Sequence, residues 1–344
     1  MRVGIVGYGL AGRVFHGRLL AGTAGVDVVA IVTRDPARRA AAATDFPAAA
    51  CFADVAAMLS GVPLDLAVVA SATAAHAANA VACLTAGVPV VVDKPLAPTA
   101  AEAAEVVAAA ARAGVPLTVF QNRRYDADIR TLRRLLADGH LGTVPRFESR
   151  FERWRPQPDL TRWRERASAA EGGGVLLDLG SHLADQAYAL FGPVRSVYAE
   201  LDARRGGADD DAFLALTHEE GTRSHLWCGA VTAAPGPRLR VLGSRAALVV
   251  DELDRQEAAL RAGSAPGKAV AQPMRLVRGA EVEPVVPEPG AWDGFYPAVL
   301  AALRDGTPMP VDPADAVAVL RILDAARESA ATGEVVRLTT GGGW

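Results

Sequence analysis

Two short stretches hold side chains whose types and spacing suit chemistry. Asp178, His182 and Asp185 stand at i, i+4 and i+7, a spacing that puts all three on one face of a helix whose other positions are mainly Leu and Ala. A carboxylate one turn from an imidazole can orient the ring and raise its basicity, as general acid–base chemistry near neutral pH requires. The plain alternative is a helix-stabilising Asp–His pair. A metal site is disfavoured, because no third ligand stands at a recognisable spacing. The second stretch is Asp93-Lys94-Pro95, which closes the apolar run VVVD. Open α/β sheets hold their ligands at the C-terminal ends of parallel strands. Lys94 and Lys268 are the only lysines among 36 basic residues. A lysine kept in an Arg-dominated chain invites a functional reading, against the plain one of a surface Lys.

A third pattern concerns phosphate. Gly7-Tyr8-Gly9-Leu10-Ala11-Gly12 fits G-x-G-x-x-G between an apolar run and a helical stretch, the context the motif needs. Gly7 would make the tight turn, Gly9 would let backbone approach a pyrophosphate, and Gly12 would let helix and strand pack closely. The N–H groups of the helix start would face the phosphates. An acidic ribose ligand for NAD would lie roughly 20 residues further on, where this chain reads Thr33-Arg34, with Arg38 and Arg39 behind. A hydroxyl and a guanidinium can bind a 2′-phosphate that a carboxylate would repel, so NADP(H) is the preferred cofactor, with NAD(H) as the alternative. Asp35 is the counter-argument, but Asp35-Pro36 also reads as an N-cap followed by Pro at the first helical position. For Arg38 and Arg39 the plain reading is a solvated helix face.

These groups need a frame. Up to about Gln121, the runs VGIVGYG, VDVVAIVT, LDLAVVAS, VPVVVD and VPLTVF alternate with Ala-rich helical stretches, as parallel strands with crossover helices do. Beyond Gln121 the rhythm changes to RFESRFER, VRSVYAELDA, DAFLALTHE, RSHLWCGAV, RLRVLG and AALVVDE, several of them alternating. The expected fold is α/β: a Rossmann doubly wound parallel sheet over 1–121 that binds NAD(P). An α+β domain over 122–344, with a large, mostly antiparallel open sheet, would bind substrate and dimerise. The stretch from Ser264 to Pro289, rich in Pro and Gly, reads as a long surface excursion. The helices of the second domain look too few to cover both faces of its sheet, so the other face should meet a second copy, in a homodimer or homotetramer.

Composition narrows the classes. With 36 basic against 39 acidic residues and no long block of one sign, nucleic acid is not an expected partner. Leu66 to Val92 contains no charged residue, but Ser71, Thr73, His76, Asn79, Gly87 and Pro89 interrupt it, so it reads as strand, helix and strand rather than a membrane span. The amino terminus enters the fold at once, without a signal-peptide pattern. Cys51, Cys83 and Cys228 form no C-x-x-C pair, which suits a reducing cytoplasm.

Taken together, the glycine fingerprint, Asp93-Lys94-Pro95 and the D-x-x-x-H helix at Asp178–His182 resemble the glucose-fructose oxidoreductase / inositol dehydrogenase / MocA (Gfo/Idh/MocA) family over nearly the whole chain. Phe120-Gln-Asn-Arg-Arg-Tyr125, RFESRFERWRP, Arg162-Trp163-Arg164-Glu165 and GGGVLLDLGSHLADQ look most like the branch of NADP-dependent scyllo-inositol dehydrogenases. The resemblance implies that Lys94 contacts the reacting hydroxyl and the nicotinamide ribose, Asp178 positions substrate and His182 is the acid/base. It further implies that Asn122 and Arg123 line the substrate cleft, that Trp163 and Arg164 reach the cofactor, and that Ser71, Thr73 and His76 belong to a loop at the nicotinamide end. Two departures stand out: Asp93 replaces the commoner Glu, and Ser71-Ala72-Thr73 stands where many members read Thr-Pro-Asn. The implied activity is secondary alcohol–ketone interconversion on a cyclic polyol or sugar. The rivals are a redox-assisted glycosidase that retains its nicotinamide and a non-catalytic NADP-binding sensor or partner protein.

Overall fold

The computed structural model describes residues 1–159, 165, 167–168, 171–268 and 270–338. It divides into two compact units. The first comprises Met1–Asn122 with two later segments, Gln256–Ala269 and Ala291–Val317; the second comprises Arg123–Arg255, Val270–Gly290 and Ala318–Trp344. A single boundary near Gln121 assigned both later segments to the second unit. No sequence cue separates them, because what they join lies more than a hundred residues away: Thr118 Oγ1 donates to Val311 O at 2.8 Å, and Phe120 packs edge-on against Phe295 at 4.8 Å between ring centroids.

The first unit holds a six-stranded, wholly parallel sheet in the order β3-β2-β1-β4-β5-β6. Its strands are β1 (Arg2–Val6), β2 (Asp27–Val32), β3 (Ala50–Phe52), β4 (Leu66–Val69), β5 (Val90–Asp93) and β6 (Leu117–Phe120). Every residue of β4, β5 and β6 is buried, which is why they read as continuous apolar runs rather than alternating ones. The uncharged run from Leu66 is β4, the helix His76–Thr85 and β5. Among the described residues, no helix is long and apolar enough to cross a membrane. The edge strand β3 and the helix Val55–Gly61, N-capped by the Asp54 side chain, are too short to show a period in the sequence.

The second unit carries a nine-stranded sheet in the order β14-β13-β12-β11-β7-β10-β9-β8-β15. These are β7 (Arg146–Glu152), β8 (Val194–Asp202), β9 (Asp211–His218), β10 (Arg223–Gly229), β11 (Leu239–Leu242), β12 (Ala247–Val250), β13 (Met274–Arg278), β14 (Glu281–Val285) and β15 (Val336–Arg337). All neighbouring pairs are antiparallel except β7 with β10. The expected excursion from Ser264 to Pro289 therefore contains a hairpin. Gly279, at φ +61°, makes its turn, and Met274 and Leu276 are buried. Along β9, residues alternate strictly between half-buried and buried. The half-buried face holds Phe213, whose ring lies 5.1 Å from that of Trp227, with the Arg150 guanidinium 3.8 Å above Trp227. The helix Pro313–Thr332 reaches the sheet at β8, where Ser329 Oγ accepts from the Ala199 amide at 3.0 Å.

Candidate active site

The glycine turn follows β1. Gly7 has φ +94°, and a Cβ there would lie 2.6 Å from both Ala70 O and Ser71 Cα; a Cβ on Gly12 would fall 2.0 Å from Gly7 O. Both glycines are demanded by the protein's own backbone. Gly9 is different, since a Cβ there would meet only the Arg38 guanidinium, at 3.8 Å. The second glycine keeps a space that the chain itself does not fill, as a turn receiving a pyrophosphate requires. Leu10 is 45% exposed beside it and Ala11 is half-buried. Tyr8 points the other way: it is buried, packs edge-on to Phe46, and its hydroxyl donates to Asp45 at 2.9 Å, an acceptor shared with Arg13 Nε at 2.7 Å. Burial first, then the Asp45 carboxylate, raises the Tyr8 phenol above its ordinary range. The helix that follows begins with a π-helical stretch, Ala11–Gly17, so it starts wider than an ordinary α-helix.

At the end of β2, Thr33 is buried, while Arg34 is exposed. Asp35 is the N-cap of the helix Pro36–Asp45, accepting from the Arg38 amide at 3.0 Å. Arg39 Nε donates to Thr33 O at 2.9 Å, so this guanidinium braces the strand end rather than lying free on a solvated face. Arg38 extends from the same helix towards Gly9, with Nε 3.8 Å from Asp35 Oδ2.

Lys94 is 9% exposed immediately after β5, and the Lys94–Pro95 peptide is cis. Asp93 before it is buried, with Oδ1 3.4 Å from His16 Nε2; His16 Nδ1 is 2.6 Å from the Tyr296 hydroxyl. Burial works to raise the Asp93 carboxyl, but His16, His76 and Lys94 outweigh it and hold the group below the usual carboxylate range. Burial, and next the Asp93 charge, push the Tyr296 phenol well up. The loop after β4 lies near this turn: Ser71 Oγ accepts from Asn79 Nδ2 at 3.1 Å, Thr73 is buried, and His76 contacts Pro95 O and Ser71 O. His16 and Tyr296 escaped sequence reasoning, because only folding joins residues 280 positions apart.

In the second unit, Asp178 lies in a π-helical stretch, Leu176–Gly180, that runs into the α-helix Ser181–Phe191. π-turns close i to i+5, so the turn at Asp178 is wider than an α-turn, yet i and i+4 still share a face. Asp209 caps this start, accepting from the Leu176 amide at 2.6 Å and filling the place of a Cβ on Gly174 (φ +92°). This capping explains one glycine of the Gly172–Gly174 run. Asp178 is half-buried; His182 is 6% exposed, with its ring edge-on to Phe151 at 6.0 Å. Asp185 does not join them as a chemical group. Both its oxygens take a two-pronged contact from Arg124, at 2.8 and 2.6 Å. Gln186 reaches Arg123 O at 3.1 Å and accepts from Arg238 at 2.9 Å; Arg238 also donates to Ser149 Oγ. The Arg123 and Arg238 guanidinium groups lie 5.1 and 4.2 Å from the Phe151 ring centre. This polar lattice fixes the His182 helix to β7 and to the turn after Asn122. Arg123 is itself buried and paired with Asp126 at 3.3 Å, while Asn122, also buried, closes the first unit. Trp163 and Arg164 lie outside the described residues. Among the described residues, no group of three or more His, Cys, Asp or Glu is arranged to hold a metal.

Comparison with known proteins agrees with this architecture. Residues 1–121 match the oxidoreductase family, NAD-binding Rossmann fold, and residues 129–249 match the GFO/IDH/MocA C-terminal domain. The chain is 32% identical over 340 residues to scyllo-inositol 2-dehydrogenase (NADP(+)) IolW of Bacillus subtilis, covering 96% of this chain and 93% of that one. It is 30% identical over 332 residues to the D-apiose dehydrogenase of Paraburkholderia graminis, covering 91% and 84%. The solved structure of the oxidoreductase yvaA from Bacillus subtilis superposes with a TM-score of 0.89 at 30% identity, over 98% of each chain. With a parallel sheet that carries the glycine turn, a second open sheet and both family models matched in order, the chain belongs to the Gfo/Idh/MocA family of oxidoreductases.

Proposed function

We propose that the chain is an NADP(H)-dependent dehydrogenase that interconverts a secondary alcohol and a ketone on a cyclic polyol or sugar of the scyllo-inositol kind. The observation that carries the cofactor choice is the end of β2. There Asp35 is engaged in capping a helix and the exposed Arg34 stands where a carboxylate would read an unmodified ribose. The names of two relatives, an NADP(+)-dependent scyllo-inositol dehydrogenase and a D-apiose dehydrogenase, support the substrate class.

Gly7, Gly9, Leu10, Ala11 and Gly12 would hold the pyrophosphate, with Thr33, Arg34 and Arg38 on the adenosine side. Ser71, Thr73, His76, Trp163 and Arg164 would hold the nicotinamide side. When bound there, the nicotinamide would supply the hydride-transfer chemistry. His182 takes the hydroxyl proton in oxidation and returns it in reduction. The Lys94 ammonium stabilises developing alkoxide charge. Asp178, Asn122 and Arg123 position the substrate. This reading requires Lys94 and the Asp178–His182 pair, which come from different units, to act on one hydroxyl. A homodimer or homotetramer formed through the half-buried sheet face, in the cytoplasm, completes the proposal.

The test is steady-state consumption of free NADPH and NADH with inososes, and of NADP⁺ and NAD⁺ with a panel of inositols, aldoses and sugar acids. Turnover with NADPH and an inosose supports the proposal. Glycoside cleavage without net use of free cofactor would replace it with the redox-assisted glycosidase.

A further inference from the structure

His76 begins the helix His76–Thr85 and is 1% exposed. Its Nδ1 lies 2.8 Å from Pro95 O and its Nε2 lies 3.0 Å from Ser71 O. Carbonyl oxygens only accept. A neutral imidazole has one N–H and one lone pair, so either tautomer would aim a lone pair at one of these oxygens. Only the doubly protonated ring donates to both.

A buried carboxylate, Asp93, belongs to the turn that His76 contacts. Asp93 is buried and stays below the usual carboxylate range because His16, His76 and Lys94 together outweigh the burial that works to raise it. Titratable groups near it include His16 from the first helix, His76 from the helix after β4, Lys94 from its own turn and Tyr296, whose hydroxyl meets His16. The geometry of His16 makes no similar demand for charge, since its Nδ1 meets the Tyr296 hydroxyl at 2.6 Å and a hydroxyl both donates and accepts. Ser71 Oγ is already occupied by Asn79 Nδ2, so the side chain does not compete with the Ser71 carbonyl for His76.

We propose that His76 is a protonated positioning residue: as an imidazolium spanning the Ser71 and Pro95 carbonyls, it ties the loop after β4 to the turn that presents Lys94. The two joined segments flank the place assigned above to the nicotinamide end of the cofactor. The catalytic consequence rests on the reading of Lys94, whereas the charge state of His76 rests on its own contacts. A glutamine at this position carries its N–H donors on one nitrogen and a carbonyl on the other arm, so it cannot donate in both directions.

Long-range ¹H–¹⁵N correlation on the uniformly labelled protein at pH 8 reads the ring directly, with His76 assigned from Ala75–His76–Ala77 connectivities. Both ring nitrogens should show the closely similar shifts of an imidazolium, although an ordinary histidine with a pKa near ~6.5 is neutral there. The widely split shifts of a neutral tautomer would overturn the proposal. Positioning is read by competitive acetylation and mass spectrometry, with exposed Lys268 as the internal reference. In His76→Gln, the Lys94 to Lys268 labelling ratio should change by at least about threefold, the change that half a pKa unit brings. An unchanged ratio overturns the positioning role, and His76→Asn repeats the measurement if the Gln variant does not fold. In the same variant, kcat should fall roughly 10–100-fold, as expected for a reacting group displaced by about 1 Å. Wild-type turnover by Lys94→Ala would instead sink the catalytic reading of Lys94, leaving the spectroscopic and labelling results to judge His76.

Discussion

Replacing Arg34 with alanine should separate the two nicotinamide cofactors. Arg34 is exposed at the end of β2, and the neighbouring carboxylate of Asp35 is turned to the Arg38 amide at 3.0 Å. A hydrogen bond between two charged groups is worth about 1.5–3 kcal/mol. Solvent and salt screen an exposed guanidinium, which puts the loss in the lower part of that range, about 1.5–2 kcal/mol. At about 1.4 kcal/mol per decade, kcat/KM for NADPH should fall roughly 10–30-fold. NADH has no 2′-phosphate and should be nearly unaffected. The assay is kcat/KM for both cofactors at low and high ionic strength, with the NADPH effect shrinking as salt rises. Asp35→Ala is the companion variant. Its loss removes a helix cap, so it should lower the urea midpoint by an amount equivalent to about 1 kcal/mol without raising KM for NADH. Equal losses for both cofactors in Arg34→Ala, together with a raised KM for NADH in Asp35→Ala, would refute the reasoning and return Asp35 to the role of ribose ligand.

His182→Ala should lower kcat by roughly 10²–10⁴-fold while NADPH binding, followed by fluorescence titration, stays nearly intact, because the lost group handles a proton; wild-type turnover would end the assigned mechanism. Asp185→Ala should act on stability instead: it leaves Arg124, whose side chain is 10% exposed, without its two-pronged partner, and breaking such a buried pair costs about 3–5 kcal/mol in urea unfolding. A variant that loses turnover without loss of stability would place Asp185 in the chemistry after all. Light scattering should report a dimer or tetramer at micromolar concentration. Charged residues in place of Phe213 and Trp227 on the half-buried sheet face should shift it towards monomer, and a wild-type monomer of 35.7 kDa would contradict the assembly.

Much of the first sheet was legible before folding, for a physical reason. Strands buried on both faces must be apolar throughout, and β4, β5 and β6 are. A turn in which a Cβ would collide with backbone must be glycine, and Gly7 and Gly12 are such positions. Local chemistry also revealed Asp35 as a cap, since its acceptor lies three residues away. The hairpin of β13 and β14 was hidden because its Pro- and Gly-rich flanks outweigh two short alternating runs. The π-turn that carries Asp178 was not legible by counting, because i, i+4 spacing keeps two residues on one face of either kind of helix, and Asp209, which caps its start, comes from elsewhere in the chain. Asp185 shares a spacing with Asp178 and His182, yet its chemistry is decided by Arg124, 61 residues away. The same holds for His16 and Tyr296 behind Asp93, and for His76 between two carbonyls. Sequence spacing determines which side chains lie together on one element, but what a buried charge or ring nitrogen meets depends on chain brought from elsewhere, and only the tertiary fold supplies it.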